Sequence, residues 1–412
     1  MSRAEDQSVG RRRSVLLVAP ACDGDDVGES WVAFQWAQLL SERCDLTLLT
    51  SYKVGHRPPS VQLPGVRVVE WSEPRGIGRF ERFNSLLQPG YLPFAIRARR
   101  WIKGRLAAGE RFDVAHQVVP VAMRYPSPAA GLGIPFVIGP VGGSLESPPA
   151  FVAEEGATPW YQRLRALDVI RLRRDPLLRR TYESADCVVG IASYVADRLT
   201  GIRVRRFEIM SETAVHSIHE PVDRAEREGT VRLLHVGRIV RTKGLRDAIR
   251  ALATLGDLDV RLDVVGDGND RDACEELVRT LGLAGRVTFH GRLPREAIDD
   301  FYERADIFVF PSYREPGGNV SLEAMSFGLP VIVCERGGPG ANVDDSCGFR
   351  LAAESPAQLA GDCAAAIRQL VEDRGLRLQM GAAAREWAFT RHLWEHRVER
   401  MERIYSEVGH RA

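Results

Sequence analysis

The chain has 412 residues, which exceeds one ordinary hydrophobic core and allows two domains. Hydrophobic residues make up 44% of it and charged residues 27%, as in soluble globular proteins. A formal net charge of +1 gives no indication of a nucleic-acid partner, and we expect none. The seven cysteines are scattered without zinc-ligand spacing, so we expect buried thiols in a reducing compartment.

The first apolar segment, SVLLVAPAC, follows three arginines and superficially resembles a signal peptide. Pro20 interrupts it and the polar sequence DGDD follows, so a buried first strand fits better. No segment reaches the ~18–20 apolar residues of a membrane-spanning helix. We therefore predict a cytoplasmic protein.

Strands and helices alternate along the first half of the chain. SVLLVAP is predicted to be a strand, and the segment after it carries Val32, Trp36, Leu39 and Leu40 at helical spacing. Further strands are predicted at DLTLLTS, VRVVEW, RFDVAHQVV, PFVIGPVGGS and ADCVVGIAS. This alternation predicts a parallel sheet with helices on both faces, which forms a first domain over residues 11–210.

The same alternation returns after a polar linker, residues 211–230. Strands are predicted at VRLLHVGRI, VRLDVVGDG, RVTFHG, DIFVFPS and PVIVCE, with helices between them, in a second domain over residues 231–388. The predicted fold class is α/β, with two Rossmann-like, doubly wound parallel-sheet domains. Such sheets bind ligands beyond the carboxyl ends of their strands, so a ligand would lie in a cleft between the two domains.

Two loops at predicted strand ends of the second domain carry glycines and cations. HVGRIVRTKGL places Gly237, Arg238 and Lys243 directly after one strand, and VVGDGND places a turn with Gly266 after the next. An arginine fork and a lysine point charge on one loop suit a diphosphate. Surface salt bridging is the alternative, and the position at a strand end favours the diphosphate.

The segment REPGGNVSLEAMSFGLPVIVC has a glutamate on each side of a predicted helix start. Gly317 and Gly318 allow close backbone approach, and we expect Asn319 to cap the helix. The free N–H groups of a helix start favour phosphate oxygens. Glu315 precedes the turn, and Glu323 lies four residues after Asn319, on the same side of the helix. Two carboxylates that accept bonds from vicinal hydroxyls, with an anion site between them, suit a nucleotide sugar.

No metal site is predicted near these glutamates. No Asp-x-Asp lies beside them, and the pair Asp344–Asp345 falls in a separate turn. We expect no cofactor, because a nucleotide sugar would be a co-substrate.

Six segments together resemble the successive motifs of the retaining GT-B glycosyltransferases of family 4, or glycosyl transferases group 1. These segments are GRIVRTKGL, VVGDG, FHGRLP, ADIFVFPS, EPGGNVSLEAMSFGLPVIV and GGPGANVDDSCGF. The resemblance is specific over Val231–Leu351 and looser over the first half. It implies a GT-B fold, a nucleotide-sugar donor and a final helix, residues 389–412, that crosses back to the first domain.

The resemblance also implies roles for single residues. Arg238 and Lys243 match residues that hold the donor diphosphate. Glu315 matches the glutamate that contacts the transferred sugar, and Glu323 matches the one that holds the ribose. The other implied donor-binding positions are Gly28, Gly237, Gly266, Arg292, Leu293, Gly317, Gly318, Asn319 and Val320. Among them, Gly28 matches a phosphate-facing glycine loop, and Arg292 with Leu293 matches the stretch beside the base.

His116 ends the predicted strand FDVAHQ and is a candidate catalytic residue. Family members often read Asp-x-x-His-x-His here, with the second histidine near the reacting sugar, but Val118 stands at that position. His116 could serve as the active-site histidine if the strand is shifted slightly relative to that of the family. A structural role is the alternative.

Basic stretches of the first half raise the question of a membrane contact. Nine Lys/Arg and two acidic residues lie between Arg75 and Arg111, and YQRLRALDVIRLRRDPLLRR adds more cations with interleaved leucines. Such segments can lie on anionic lipid, and a solvated helix face is the alternative. We keep a peripheral contact at the inner face of a membrane as a candidate.

The combined prediction is a metal-independent, retaining hexosyltransferase that moves a sugar from UDP- or GDP-hexose to a hydroxyl of a glycan, lipid-linked or small-molecule acceptor. Arg238, Lys243 and the helix start would stabilise the departing diphosphate, and Glu315 would position the sugar. Two alternatives stay open: a GT-B phosphorylase or epimerase, and a non-catalytic nucleotide- or glycan-binding assembly subunit. A dinucleotide-dependent dehydrogenase is disfavoured, since no Gly-x-Gly-x-x-Gly follows the first strand.

Overall fold

Two parallel β-sheets, one from each half of the chain, organise the protein. The computed structural model describes residues 11–73, 90–143, 145–156, 166–224 and 227–409. The prediction of an α/β fold with two Rossmann-like parallel-sheet domains is confirmed.

The first sheet has seven strands, and Leu17 of the inner strand β1 lies opposite Leu48 on one neighbour and His116 on the other. The strands are β1 Ser14–Val18, β2 Asp45–Tyr52, β3 Arg67–Ser72, β4 Val114–Gln117, β5 Phe136–Val141, β6 Cys187–Gly190 and β7 Phe207–Ile209. Their order is β3-β2-β1-β4-β5-β6-β7. The helices described in this half are α1 Glu29–Ser41, α2 Pro59–Gln62, α3 Tyr91–Ala107, α4 Pro149–Val152, α5 Ala166–Arg174, α6 Pro176–Ser184 and α7 Tyr194–Arg198.

The second sheet has six strands: β8 Val231–Val236, β9 Val260–Val265, β10 Val287–Gly291, β11 Ile307–Phe310, β12 Val331–Cys334 and β13 Gly348–Leu351. Their order is β10-β9-β8-β11-β12-β13, so the winding reverses between β8 and β11. The remaining helices are α8 Leu245–Ala253, α9 Arg271–Thr280, α10 Arg295–Arg304, α11 Asn319–Ser326, α12 Gly337–Asn342, α13 Pro356–Glu372, α14 Arg374–Arg391 and α15 Trp394–Gly409. A reversal of this kind opens a crevice at the carboxyl ends of the strands.

The apolar runs of the sequence become strands that are buried on both faces. All residues of β11 and β12 are buried, as are residues 15–18 of β1. Strands covered by helices on both faces need continuous rather than alternating hydrophobicity, which explains runs such as IFVF and VIVC. All seven cysteines are free and buried, as expected from their scattered positions.

A short segment of the first half packs onto the second domain. Phe151, in α4, belongs to the core of the second domain, and its ring packs against that of Tyr313 at a centroid distance of 4.2 Å and an interplanar angle of 34°. Glu154 accepts hydrogen bonds from Arg241 Nε at 2.9 Å and from Arg250 Nη1 at 3.1 Å. The apolar contact and the ion pairs tie the loops above the two sheets together.

The chain also crosses between the domains at two adjacent places. The N–H of Val215 donates to the carbonyl of His392 at 2.9 Å, and the N–H of Trp394 donates to the carbonyl of Val215 at 3.1 Å. Beyond this crossing, α15 packs into the core of the first domain, where Trp394 meets Trp36 edge-on at 5.5 Å. The two segments that pass between the domains are therefore joined by backbone hydrogen bonds where the domains meet.

We predict that Asp247→Ala destabilises the second domain. The side chain of Asp247 is fully buried, and its two oxygens accept from Arg241 Nη1 at 2.6 Å and Nη2 at 3.0 Å. The substitution leaves the buried guanidinium of Arg241 without its bidentate carboxylate partner, which costs about 3–5 kcal/mol of unfolding free energy. Urea denaturation followed by circular dichroism measures this loss.

Asp257→Ala is the matched control, because Asp257 forms the same bidentate ion pair with Arg368 on the surface, at 2.7 and 2.8 Å. Exposed ion pairs contribute little, so its denaturation midpoint should stay close to that of the wild type. Equal losses in the two variants would contradict the assignment of Asp247 to the buried framework.

Candidate active site

Three loops meet at the carboxyl edge of the second sheet, above β8, β9 and β11. Gly266 adopts φ 137°, a conformation that favours glycine, and a Cβ there would collide with the carbonyl oxygen of Gly237. The N–H of Gly237 donates to the carbonyl of Val265 at 3.0 Å. The loops after β8 and β9, which carry Gly237 and Gly266, therefore lie in direct backbone contact.

Lys243 ends a 3₁₀ turn, Arg241–Lys243, and its buried ammonium contacts the carboxylate of Glu315. Burial lowers the pKa of Lys243 to about 7, and the nearby cations of Arg238 and Arg314 act in the same direction. The carboxylate opposes this, because an adjacent anion stabilises the ammonium. Arg238 is exposed, and among the described residues no side-chain bond to it is formed.

Glu315 binds the glycine turn as well as the lysine. Its Oε1 accepts from the N–H groups of Gly317 and Gly318, each at 3.3 Å. We expected these N–H groups to face phosphate oxygens, and here a carboxylate of the chain occupies them. The lysine and two backbone N–H groups thus converge on one anion, which demonstrates the anion-binding geometry of the turn.

The helix after the turn starts differently from our expectation. Gly318, at φ 76°, is the residue before the first turn of α11, and no side chain caps the helix. The expectation that Asn319 caps it is wrong, because Asn319 is already helical and its Nδ2 donates to Glu323 Oε1 at 3.2 Å. The uncapped start keeps backbone N–H groups available to a ligand.

Glu323 is fixed by two side chains of one neighbouring helix, α10. Its Oε2 accepts from the hydroxyl of Tyr302 at 3.1 Å, and its Oε1 pairs with Arg295 Nη2 at 3.1 Å. Burial raises its pKa, and Arg295 and Tyr302 oppose the rise. We did not anticipate Tyr302 or Arg295 from the sequence, although Arg295 opens the helix directly after the predicted base-binding stretch.

A second glycine-rich segment supports the first. Asn342, in α12, donates through Nδ2 to the carbonyl of Gly317 at 2.9 Å, and the N–H of Gly338 donates to the carbonyl of Glu315 at 3.0 Å. A Cβ at Gly338 would collide with the carbonyl of Gly317. The motif GGPGAN therefore supports the glycine turn Gly317–Gly318 through backbone contacts and the Asn342 side chain.

The other predicted donor-binding residues are placed as follows. Gly28, at φ 68°, precedes α1 in the first domain and is exposed. Arg292 is exposed, whereas Leu293 and Val320 are half-buried and pack against the core beneath α10 and α11. The second-domain residues lie on neighbouring elements, and Gly28 lies on the opposite domain.

His116 lies inside the first domain and not on a surface that a substrate could reach. It is fully buried, its Nδ1 is 2.6 Å from the hydroxyl of Tyr405, and its Nε2 bonds to the carbonyl of Gly139. Burial lowers its pKa to about 4. The prediction of a catalytic role is therefore corrected: His116 joins the last helix to the first sheet.

Glu212 approaches the glycine turn Gly317–Gly318 from the side of the first domain, and our sequence reasoning did not identify it. Its carboxylate lies against Gly317, so close that a Cβ there would collide with Glu212 Oε1. Its Oε2 is shielded from solvent and has no hydrogen-bond partner among the described residues. Burial raises its pKa to about 7, and Glu29 adds to the rise. Its sequence context, a polar linker, gave no signal.

No group of three or more His, Cys, Asp or Glu that could hold a metal ion occurs in the part of the chain that the structure describes. Within the same ranges, no helix is long and apolar enough to cross a membrane.

Both halves of the chain match family models. Residues 28–210 match the model described as glycosyl transferase 4-like domain, and residues 219–387 match glycosyl transferases group 1.

Curated relatives agree with these models over part of their length. The D-inositol 3-phosphate glycosyltransferase of Corynebacterium diphtheriae is 35% identical over 185 residues, 42% of this chain and 42% of the relative. The lipopolysaccharide core biosynthesis glycosyltransferase LpsE of Rhizobium meliloti is 30% identical over 236 residues, 54% of this chain and 64% of that protein. The chain thus spans less than two thirds of the length of either relative.

A solved structure matches nearly the whole chain. HepE of Anabaena, in complex with UDP-glucose, aligns with a TM-score of 0.60 and 17% identity over 95% of this chain and 99% of the other. With a family model on each half and this shared two-domain architecture, the chain belongs to the glycosyl transferases group 1 (GT4) family and has the GT-B fold.

Proposed function

We propose that the protein is a metal-independent, retaining glycosyltransferase that takes a hexose from a UDP- or GDP-sugar. The observation that carries this proposal is the convergence of Lys243 and the N–H groups of Gly317 and Gly318 on one anion, Glu315. A cation and two backbone donors at a strand end and helix start form a site for a phosphate group.

In the proposed complex the donor diphosphate takes over hydrogen-bond donors that Glu315 occupies in the free protein. Lys243 and the glycine turn bind its oxygens, and the exposed Arg238 closes on it from the loop after β8. The released Glu315 carboxylate then accepts hydrogen bonds from hydroxyls of the transferred sugar. Glu323, held by Tyr302 below it, binds the ribose.

The chemical step needs no nucleophile from the protein. The bond between the anomeric carbon and the diphosphate oxygen breaks, and the acceptor oxygen bonds to the same face of that carbon. The acceptor proton passes to the departing phosphate oxygen. Lys243, Arg238 and the helix start stabilise the charge that develops on the diphosphate, so the protein supplies electrostatic stabilisation and orientation.

The comparisons support the class of substrates. HepE was solved with UDP-glucose, which supports a nucleotide-sugar donor. The names of the relatives specify D-inositol 3-phosphate and the lipopolysaccharide core, and another specifies 2-deoxystreptamine. These names support a hydroxyl acceptor on a glycan, a lipid-linked sugar or a small polar molecule.

A peripheral membrane contact is part of the proposal. One face of α3 exposes Leu92 and Ile96 together with Arg97, Arg100 and Lys103. Apolar side chains beside cations suit an anionic bilayer surface. Much of the remaining basic sequence, residues 74–89 and 157–165, lies outside the described residues.

We predict different kinetic effects for the two glutamates of the donor site. Glu315→Ala should lower kcat by about 100-fold or more, because the transferred sugar loses the carboxylate that orients it. Glu323→Ala should raise the donor KM about 10-fold and leave kcat within a few-fold, because it acts on the bound nucleotide. Steady-state kinetics of donor hydrolysis and transfer measure both.

Glu296→Ala, at an exposed position on α10, is the control and should behave as the wild type. Loss of turnover in Glu323→Ala at saturating donor would contradict this division of roles.

We predict that activity survives chelation. A panel of nucleotide sugars, incubated with the protein in the presence and absence of EDTA, should show one donor hydrolysed at the same rate in both. The cations and the helix start supply the charge stabilisation that a metal would otherwise provide. Loss of hydrolysis in EDTA would refute metal independence, and binding without turnover of any donor would favour a non-catalytic subunit.

A further inference from the structure

Glu212, in the predicted linker, lies between Met210 and Ala214, which both belong to the core of the first domain, and its carboxylate lies against the glycine turn Gly317–Gly318. It follows β7 in the chain, and its carbonyl accepts from Trp36 Nε1 at 3.2 Å, which anchors its backbone to α1. From there its carboxylate reaches across to Gly317 of the second domain. The residue thus bridges the cleft at the turn where the proposed diphosphate binds.

The carboxyl group of Glu212 is placed for a hydrogen bond that the chain does not provide. Its Oε2 has no partner among the described residues and is shielded from solvent. Its own backbone N–H and the charge of Arg397, on α15, favour the ionised carboxylate, whereas the charge of Glu29, at the start of α1, disfavours it. A shielded carboxyl oxygen without a partner is costly, so a ligand that bonds to Oε2 gains the interaction without displacing a protein partner.

Two neighbouring residues also have a shielded side-chain oxygen without a hydrogen-bond partner. Thr213 Oγ1, next in the chain, and Asn319 Oδ1, two residues beyond Gly317, are shielded from solvent and have no described hydrogen-bond partner. Gly317 itself must lack a side chain, because a Cβ would overlap Glu212 Oε1. Hydroxyl groups, which donate and accept, can satisfy such acceptors from both sides of the cleft.

We propose that Glu212 binds a hydroxyl of the transferred sugar, so that the first domain as well as the second selects the donor. The proposal rests on the proposed function. The diphosphate at Gly317 and Gly318 places the attached hexose beside this turn, and Glu212 is the group that the first domain presents there. A site that bonds to one hydroxyl discriminates against sugars without it.

The test compares binding of a nucleoside diphosphate with binding of its nucleotide sugar by isothermal titration calorimetry. The nucleotide sugar is the donor that the wild type hydrolyses. Glu212→Ala should weaken the nucleotide sugar about 10- to 100-fold, the range for a hydrogen bond to a charged group, and leave the nucleoside diphosphate within about 2-fold. Glu220→Gln, exposed in the same linker, is the matched control.

Deoxy donors identify the hydroxyl. One monodeoxy nucleotide sugar should bind the wild type as weakly as the parent sugar binds Glu212→Ala, and combining the two changes should cost no more than either alone. A purely structural role would weaken both ligands, and an acceptor role would raise the acceptor KM at unchanged donor affinity. Either result overturns the proposal. Failure of the wild type to bind any nucleotide sugar would instead overturn the proposed function, and this inference with it.

Glu212→Gln, which cannot ionise, is the reference for a predicted pH dependence of wild-type stability. The folded protein holds the Glu212 proton with a pKa of about 7, above the ordinary 4.5, so it retains a proton that the unfolded chain releases in that interval. Wild-type stability should therefore fall relative to Glu212→Gln as pH rises from 5 to about 8. Thermal melts of both proteins at these pH values measure the difference, and an unchanged difference would place Glu212 in solvent rather than in the cleft.

Discussion

The contact between Lys243 and Glu315 is the interaction on which the candidate site depends. The lysine is buried, and burial together with two nearby arginines disfavours its charge, so it requires an anion. Glu315 provides that anion and also occupies the N–H groups of Gly317 and Gly318. A diphosphate offers the same charge to the same donors. The glycine turn is thus built for an anion, and in the free protein the chain supplies its own.

This anion site is coupled to the arrangement of the two domains. Arg241 belongs to the same 3₁₀ turn as Lys243 and binds Glu154 of the first half of the chain. Phe151, on the same segment, packs against Tyr313, two residues before Glu315. A shift of that segment would therefore move the lysine and the strand end that leads to the donor turn. The geometry of the anion site follows from interdomain packing as well as from the second sheet.

The sequence predicted those features that depend on local pattern. Continuous apolar runs gave the strands, and glycines after them marked the loops that meet above β8, β9 and β11. What it could not predict depends on partners distant in the chain. His116 is structural because Tyr405 of the last helix covers it, and Glu212 reaches Gly317 only in the folded protein. Asn319 does not cap the helix, because Gly318 occupies the position before the first turn and the Asn319 amide donates to Glu323.

The two glutamates of the donor site differ in what holds them, and this difference gives their roles a physical basis. Glu323 is bonded by Tyr302, Arg295 and Asn319, none of which we assign to the phosphate, so in the proposed complex the ribose meets a carboxylate already in place. Glu315 bonds to the groups that the diphosphate needs. In the proposed complex, donor binding therefore redirects Glu315 toward the sugar, and the carboxylate that occupies the anion site of the free protein becomes available to the hexose once the phosphate has arrived.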